Sequence, residues 1–173
     1  WEIKKIEIYS EKLKKDKILN FENDQKNLFY MIKNDALYKS LNDTLLRSKL
    51  FKKKATKQAS LNEKLLEKNY DLIINCDQDN SISKKYFIKK VDKDYRNLAY
   101  TAILEHKKID NNSAIQIFTN SGPIAFLPIS NTKTSIVCSV DINNKNFKDH
   151  EILHLITKHN PKFEIKKISK LNN

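Results

Sequence analysis

The chain holds one glycine in 173 residues, Gly122, and three prolines, two of which, Pro123 and Pro128, follow it within a single short run. Glycine averages about 7% of ordinary proteins, so a chain of this length would carry about a dozen. One glycine excludes the glycine-rich phosphate cradles, since neither G-x-G-x-x-G nor G-x-x-x-x-G-K-[ST] can be written with it. It also excludes the G-x-S-x-G nucleophile elbow. Arginine is nearly as scarce: of 33 basic residues only Arg47 and Arg96 are arginine. Readers of bases and phosphates favour the bidentate guanidinium, so the net charge of +12 does not by itself imply a nucleic-acid partner. The lysines are spread along the chain among many Asn and Ile. That composition fits a coding bias toward A and T, which also thins out glycine. No run of about 18 apolar residues occurs, which excludes a transmembrane helix. The two cysteines, Cys76 and Cys138, lack metal-ligand spacing and read as small apolar core residues of a cytoplasmic chain. The chain opens on Trp1 directly into strand-like sequence, as an excised piece of a longer protein would.

What is present is enough for a core: 39% hydrophobic residues, with eight Phe and seven Tyr. The stretches 3–10, 17–21 and 28–34 read as strands, the first by strict alternation. Residues 35–51 place Leu37, Leu41, Leu45, Leu46 and Leu50 at helical spacing, with Asn34 or Asp35 as the N-cap. Residues 52–70 fit either a basic strand and hairpin or a short helix at "LNEKLLEK". Overlapping them, "FKKKATK" (51–57) is the densest basic run, either a solvated face or a contact for polyanions or lipid headgroups. "YDLIINCD" (70–77) reads as a buried strand. Four more strands follow at 98–107, 114–120, 124–130 and 134–141, separated by turn residues, with consecutive antiparallel pairing as the simplest connection. An amphipathic helix at 148–160 stops at Pro161, and 162–171 alternates again. The order predicts an α+β fold with a mixed, largely antiparallel sheet and flanking helices.

Chemistry-bearing residues are few. His150 and His154 stand at i, i+4, a spacing that can hold a metal on a helix face, but no third ligand accompanies them. They read with His159 as surface histidines, and no metal site is expected. In "IINCDQDNSISKK" (73–85) an apolar run delivers Asp77, with Ser81 and Lys84 at fixed offsets. Carboxyl ends of buried strands are where ligands bind in α/β sheets, although a capped Asx-type turn uses the same residues.

This stretch resembles the second fingerprint of the flavoprotein aromatic hydroxylases of the p-hydroxybenzoate hydroxylase fold, roughly G-A-D-G-x-x-S-x-V-R after an apolar strand. Asp77, Ser81 and Lys84 keep the acid, the serine and the cation, while both glycines are replaced. "AIQIFTNSGPIAFLPISNTKTSIVCSVD" (114–141) is similar to a segment of the ubiquinone-biosynthesis branch, the 2-octaprenyl-6-methoxyphenol hydroxylase group. That segment reads close to W-Q-x-F-x-P-x-G-P-x-A-x-L-P-L, a short turn, then S-x-V-W-S. Gln116, Phe118, Gly122, Pro123, Ala125, Leu127, Pro128, Ser135, Val137 and Ser139 fall in register. "FYMIKNDALYKSL" (29–41) resembles the family segment V-V-x-N-x-x-L-x-x-x-L.

The resemblance implies the middle of an FAD-dependent monooxygenase that uses NAD(P)H to hydroxylate a prenylated phenol. It assigns 1–30 to substrate-domain strands, 31–85 to a slice of the FAD-binding domain and 86–173 to the rest of the substrate domain. Asn34, Asp77 and Lys84 become flavin contacts, and Gln116, Phe118, Gly122 and Pro123 substrate contacts. The family's two glycine-rich FAD segments would lie before Trp1 and after Asn173, so the piece alone is expected to be inactive and not to retain FAD. Peripheral membrane contact and homo-oligomerisation are compatible with this reading, and nucleic acid is not expected. The competing reading is a basic α+β module that binds nucleic acid or anionic membrane without catalysis.

Overall fold

The computed structural model describes residues 1–12, 17–23, 26–53, 69–77, 79–86, 93–143 and 146–173. The readings for 54–68, including the helix at "LNEKLLEK" and most of the basic run, lie outside the described residues, as does Gln78. The described chain has the strands β1 (Glu2–Ile3), β2 (Lys5–Ser10), β3 (Lys17–Glu22) and β4 (Phe29–Tyr30), then helices α1 (Asn34–Arg47) and α2 (Ser81–Tyr86). It continues with β5 (Asn97–His106), β6 (Ser113–Thr119), β7 (Gly122–Ser130), β8 (Lys133–Asp141), α3 (Asp149–Lys158) and β9 (Ile165–Ile168). This is the expected α+β fold with a mixed, mostly antiparallel sheet.

Two compact units are present, one of 1–37 with 94–173, the other of 38–93. The first contains a seven-stranded sheet of order β3-β2-β6-β7-β8-β5-β9 and a small sheet of β1 with β4. β6, β7 and β8 form an antiparallel meander, as alternation and short turns dictate. Two pairings depart from the simplest connection. β5 lies between β8 and β9 instead of beside β6, and β2 runs parallel to β6. Strand edges are matched by burial across the whole sheet, which alternation within one strand does not encode.

One face of this sheet carries the core. Leu104, Ile124, Phe126, Ile136, Cys138 and Val140 are buried together with Ile152 and Ile156 of α3 and with Phe163. Each such side chain contributes roughly 1.5–3 kcal/mol on burial. Phe163 packs on Phe126, with ring centroids 5.8 Å apart. The Glu151 carboxylate accepts a 2.9 Å hydrogen bond from the Lys148 N–H, closing the first turn of α3.

Several sequence expectations are corrected. Residues 70–77 form no strand, and Leu72 and Ile74 are more than three-quarters exposed. No described strand lies beside them, and an unpaired strand has nowhere to place its N–H and C=O groups but water. Asp77 is therefore not delivered by a buried strand, and Cys76 is exposed while Cys138 is buried. At α1 the Leu37 N–H bonds to the Lys33 carbonyl, so Asn34 and Asp35 lie inside the first turn and neither is the cap. Its leucine stripe is amphipathic as expected, but α1 buries no residue. His159 is buried, not on the surface.

Candidate functional site

The second face of the large sheet is where three of the sequence-predicted site residues, Gln116, Phe118 and Pro123, meet. Opposite residues of neighbouring strands share a face, so the register defines its composition. Gln116 pairs with Ala125, Phe118 with Pro123, and Ala125 with Val137. Ile8 and Ser10 of β2 pair with Gln116 and Phe118. Ile6 and Ile8 in turn face Phe21 and Leu19 of β3. Gln116, Phe118 and Pro123 thus stand on one surface, away from α3 and the core. The alternating pattern of β7 and β8 leaves Pro123, Ala125, Leu127, Ser135, Val137 and Ser139 only half-buried there. Phe118 is 45% exposed. The surface is apolar with isolated hydroxyl and amide groups.

Gly122 has a different surrounding. It follows the two-residue turn Asn120–Ser121, and its φ is +135°, in a region that glycine adopts and side-chain-bearing residues avoid. A Cβ on Gly122 would lie 2.1 Å from the Ser139 carbonyl oxygen and 3.3 Å from the Val140 Cα. The close approach that requires glycine is therefore between β7 and β8 of the protein itself. The Thr119 hydroxyl donates to the Gly122 carbonyl at 2.7 Å and accepts from the Ser121 N–H at 3.1 Å, closing the turn. The following Pro123 opens the strand. Pro128 sits where the β7–β8 register shifts, a place that tolerates a missing N–H in a central strand.

Residues 75–77 and 79–84 form a polar turn bonded within itself. The Asn75 side-chain amide donates to Ser83 Oγ at 2.7 Å, and the Asn80 amide donates to Asn75 Oδ1 at 2.7 Å. The Ser83 hydroxyl donates to the Asp77 carbonyl at 2.5 Å. Asp77 Oδ1 accepts from the Asp79 N–H at 2.9 Å, an Asx turn. Asp77 and Lys84 flank this network within one unit, whereas Asn34 belongs to the other. Ser83, which sequence reading passed over in favour of Ser81, is the buried serine of the turn.

A second feature was missed from sequence. His106 is buried, its Nδ1 lies 2.7 Å from the Lys107 carbonyl and its Nε2 3.0 Å from Thr134 Oγ1. Asn111 Nδ2 donates to the same Thr134 oxygen at 3.0 Å and to the Ser130 carbonyl at 2.8 Å. The carbonyl partner makes His106 Nδ1 the donor, so the Thr134 hydroxyl donates to Nε2 while accepting from Asn111. Phe163 covers the ring at 4.6 Å. Every partner is internal, which marks this cluster as a joint between β5, β8 and the 107–112 connection. No local pattern announces it, because Thr134 lies 28 and 23 positions from His106 and Asn111 and meets them only through the sheet register.

Among the described residues no group of three or more His, Cys, Asp or Glu side chains could hold a metal, and His150 and His154 are exposed. No described helix is long and apolar enough to cross a membrane. Neither a protein-family model nor a curated protein matches the chain.

Proposed function

We propose that the chain is the central part of an FAD-dependent monooxygenase that hydroxylates a prenylated phenol of ubiquinone biosynthesis, with NAD(P)H as reductant. The reading rests on the sequence resemblance. The observation that best supports it is the open sheet face, on which Gln116, Phe118 and Pro123 stand together at registered positions. Phe118 would lie against the phenolic ring, Pro123 would stiffen the strand beside it, and the Gln116 amide would donate to or accept from a ring oxygen.

Flavin bound to the complete enzyme would supply the oxygen-transfer chemistry. The residues here fit only part of that cofactor. Asp77 and Lys84 offer an acceptor and a cation suited to hydroxyl and phosphate groups. A pyrophosphate cradle needs glycine, and the single glycine is held by its approach to Ser139. The cradle therefore falls to residues outside this stretch. The test is phenol-dependent oxidation of NAD(P)H by the complete protein, compared with its Phe118→Ala variant. A bound flavin, and a KM for the phenol raised roughly tenfold with kcat little changed, is expected, about 1.4 kcal/mol of lost ring contact. A complete protein without flavin would overturn the reading. Salt-sensitive polyanion binding in its place would favour the basic module.

A further inference from the structure

The edge strand β3 carries an inference independent of the enzymatic reading. All six of its residues are exposed, and among the described strands it pairs only with β2. Among the described residues its outer row of N–H and C=O groups thus has no strand partner and is open to another strand. Ile18, Leu19 and Phe21 are 45%, 50% and 49% exposed. Natural edge strands are ordinarily blunted by proline, by a mid-strand lysine or by a covering loop. β3 has its one lysine at the first position and no proline.

We propose that β3 pairs antiparallel with β3 of a second copy, joining two sheets across a twofold axis at Asn20. Charge favours this place over others. The chain carries +12 overall, but on each of the strands β2 and β3 one lysine and one glutamate cancel. Lys5 Nζ lies 3.1 Å from the Glu22 carboxylate, and Lys17 Nζ 2.6 Å from that of Glu7. Two such edges approach without the repulsion that the rest of the surface imposes.

The sequence selects the register. With the axis at Asn20, Leu19 faces Phe21 of the second copy and Phe21 faces its Leu19. These four side chains lie on the face that already carries Ile6 and Ile8, so the apolar strip becomes continuous across both copies. Moving the axis to Leu19 sets Lys17 against Phe21, and moving it to Phe21 sets Leu19 against Asn23. Each shift keeps only one apolar pair, the axial residue against itself, where the axis at Asn20 makes two. The register irregularity between Ile8 and Tyr9 falls beyond them.

The test is sedimentation equilibrium of the 173-residue chain, from about one to a few hundred micromolar. A concentration-dependent dimer is expected. Leu19→Lys should raise its dissociation constant at least about tenfold, and Phe21→Glu should do the same. The double variant L19K/F21E sets each lysine opposite a glutamate of the second copy and should restore dimerisation to within about threefold of the original. Both positions are exposed, so unchanged thermal midpoints will show that the fold persists. Phe118→Ser, on the same face but two strands away, should leave the dimer intact. A chain monomeric throughout the range overturns the proposal. So does a dimer indifferent to Leu19→Lys, one broken by Phe118→Ser, or a double variant that fails to recover.

Discussion

Replacing Gly122 by alanine should destabilise the protein more than any other single-methyl addition on the sheet. The added Cβ would sit 2.1 Å from the Ser139 carbonyl oxygen and 3.0 Å from its carbon. Both are backbone atoms of a central strand, so no side-chain rotation relieves the overlap. Separating β7 from β8 enough to admit it would stretch the ladder that pairs Ile124 with Cys138 and Ala125 with Val137. The backbone conformation adds its own cost, because φ of +135° is held by a side-chain-bearing residue only at roughly 1–3 kcal/mol. Overpacking of a well-filled site costs roughly a further 1–3 kcal/mol. A loss of about 3 kcal/mol lowers the midpoint of a chain this size by roughly 6–12 °C, at about 2–4 °C per kcal/mol. Thermal unfolding followed by circular dichroism measures it. Gly122→Val should be at least as damaging, whereas Pro123→Ala, which removes atoms from a half-buried position, should cost far less. If Gly122→Ala leaves the midpoint within about a degree of the original, the close approach of β7 to β8 is not rigid, and the lone glycine reflects composition alone.

Phe118→Ala should change the stability of the 173-residue chain by only about 1 kcal/mol, since the ring is nearly half exposed; a large midpoint shift would place it in the core instead. The purified chain should lose any flavin on dialysis, because it contains no glycine-rich cradle, and a yellow protein with stoichiometric flavin would contradict this. Native protein should titrate one thiol quickly, exposed Cys76, while Cys138 reacts only after unfolding, its thiol pushed up to about 11 by burial. Glu11 is held below the usual carboxylate range, first by the Asn120 N–H at 3.0 Å and then by Lys158. A depressed folded-state value means that its contribution is present above the ordinary carboxylate value near about 4.3 and is lost as pH falls through the depressed one. Glu11→Gln should therefore be less stable than the original at neutral pH, with the difference shrinking in acid; a constant difference at all pH values would remove the charge from the explanation.

The β5–β8 strands were legible because each alternates cleanly and each is bounded by short polar turns. β6 and β7 even announce their partnership through the turn at Asn120–Ser121. The parallel contact of β2 with β6 was not legible, since it joins residues more than a hundred positions apart and depends on which edge of the meander is left open. The run at 70–77 misled because apolar residues with strand propensity form a strand only where another backbone waits beside them. Of the site, the shared face of Gln116, Phe118 and Pro123 follows from period two once Phe118 is set opposite Pro123. The reason for Gly122 was half visible. A positive φ could be expected from a lone glycine in a turn, but that Ser139 is the close neighbour required the β7–β8 register. The joint of His106, Thr134 and Asn111 left no trace in local sequence, because polar residues buried by long-range pairing look like surface residues until their partners are placed.

The central proposal is that the protein carrying this sheet transfers an oxygen atom to a prenylated phenol. Its most direct test supplies the complete protein with NAD(P)H, a prenylated phenol and isotopically labelled molecular oxygen, and reads the mass of the phenolic product. One labelled oxygen atom on the ring, with labelling diminished in the Phe118→Ala variant at low phenol concentration, is the predicted result. An unlabelled, unchanged phenol from a folded, flavin-supplemented protein would contradict the assignment.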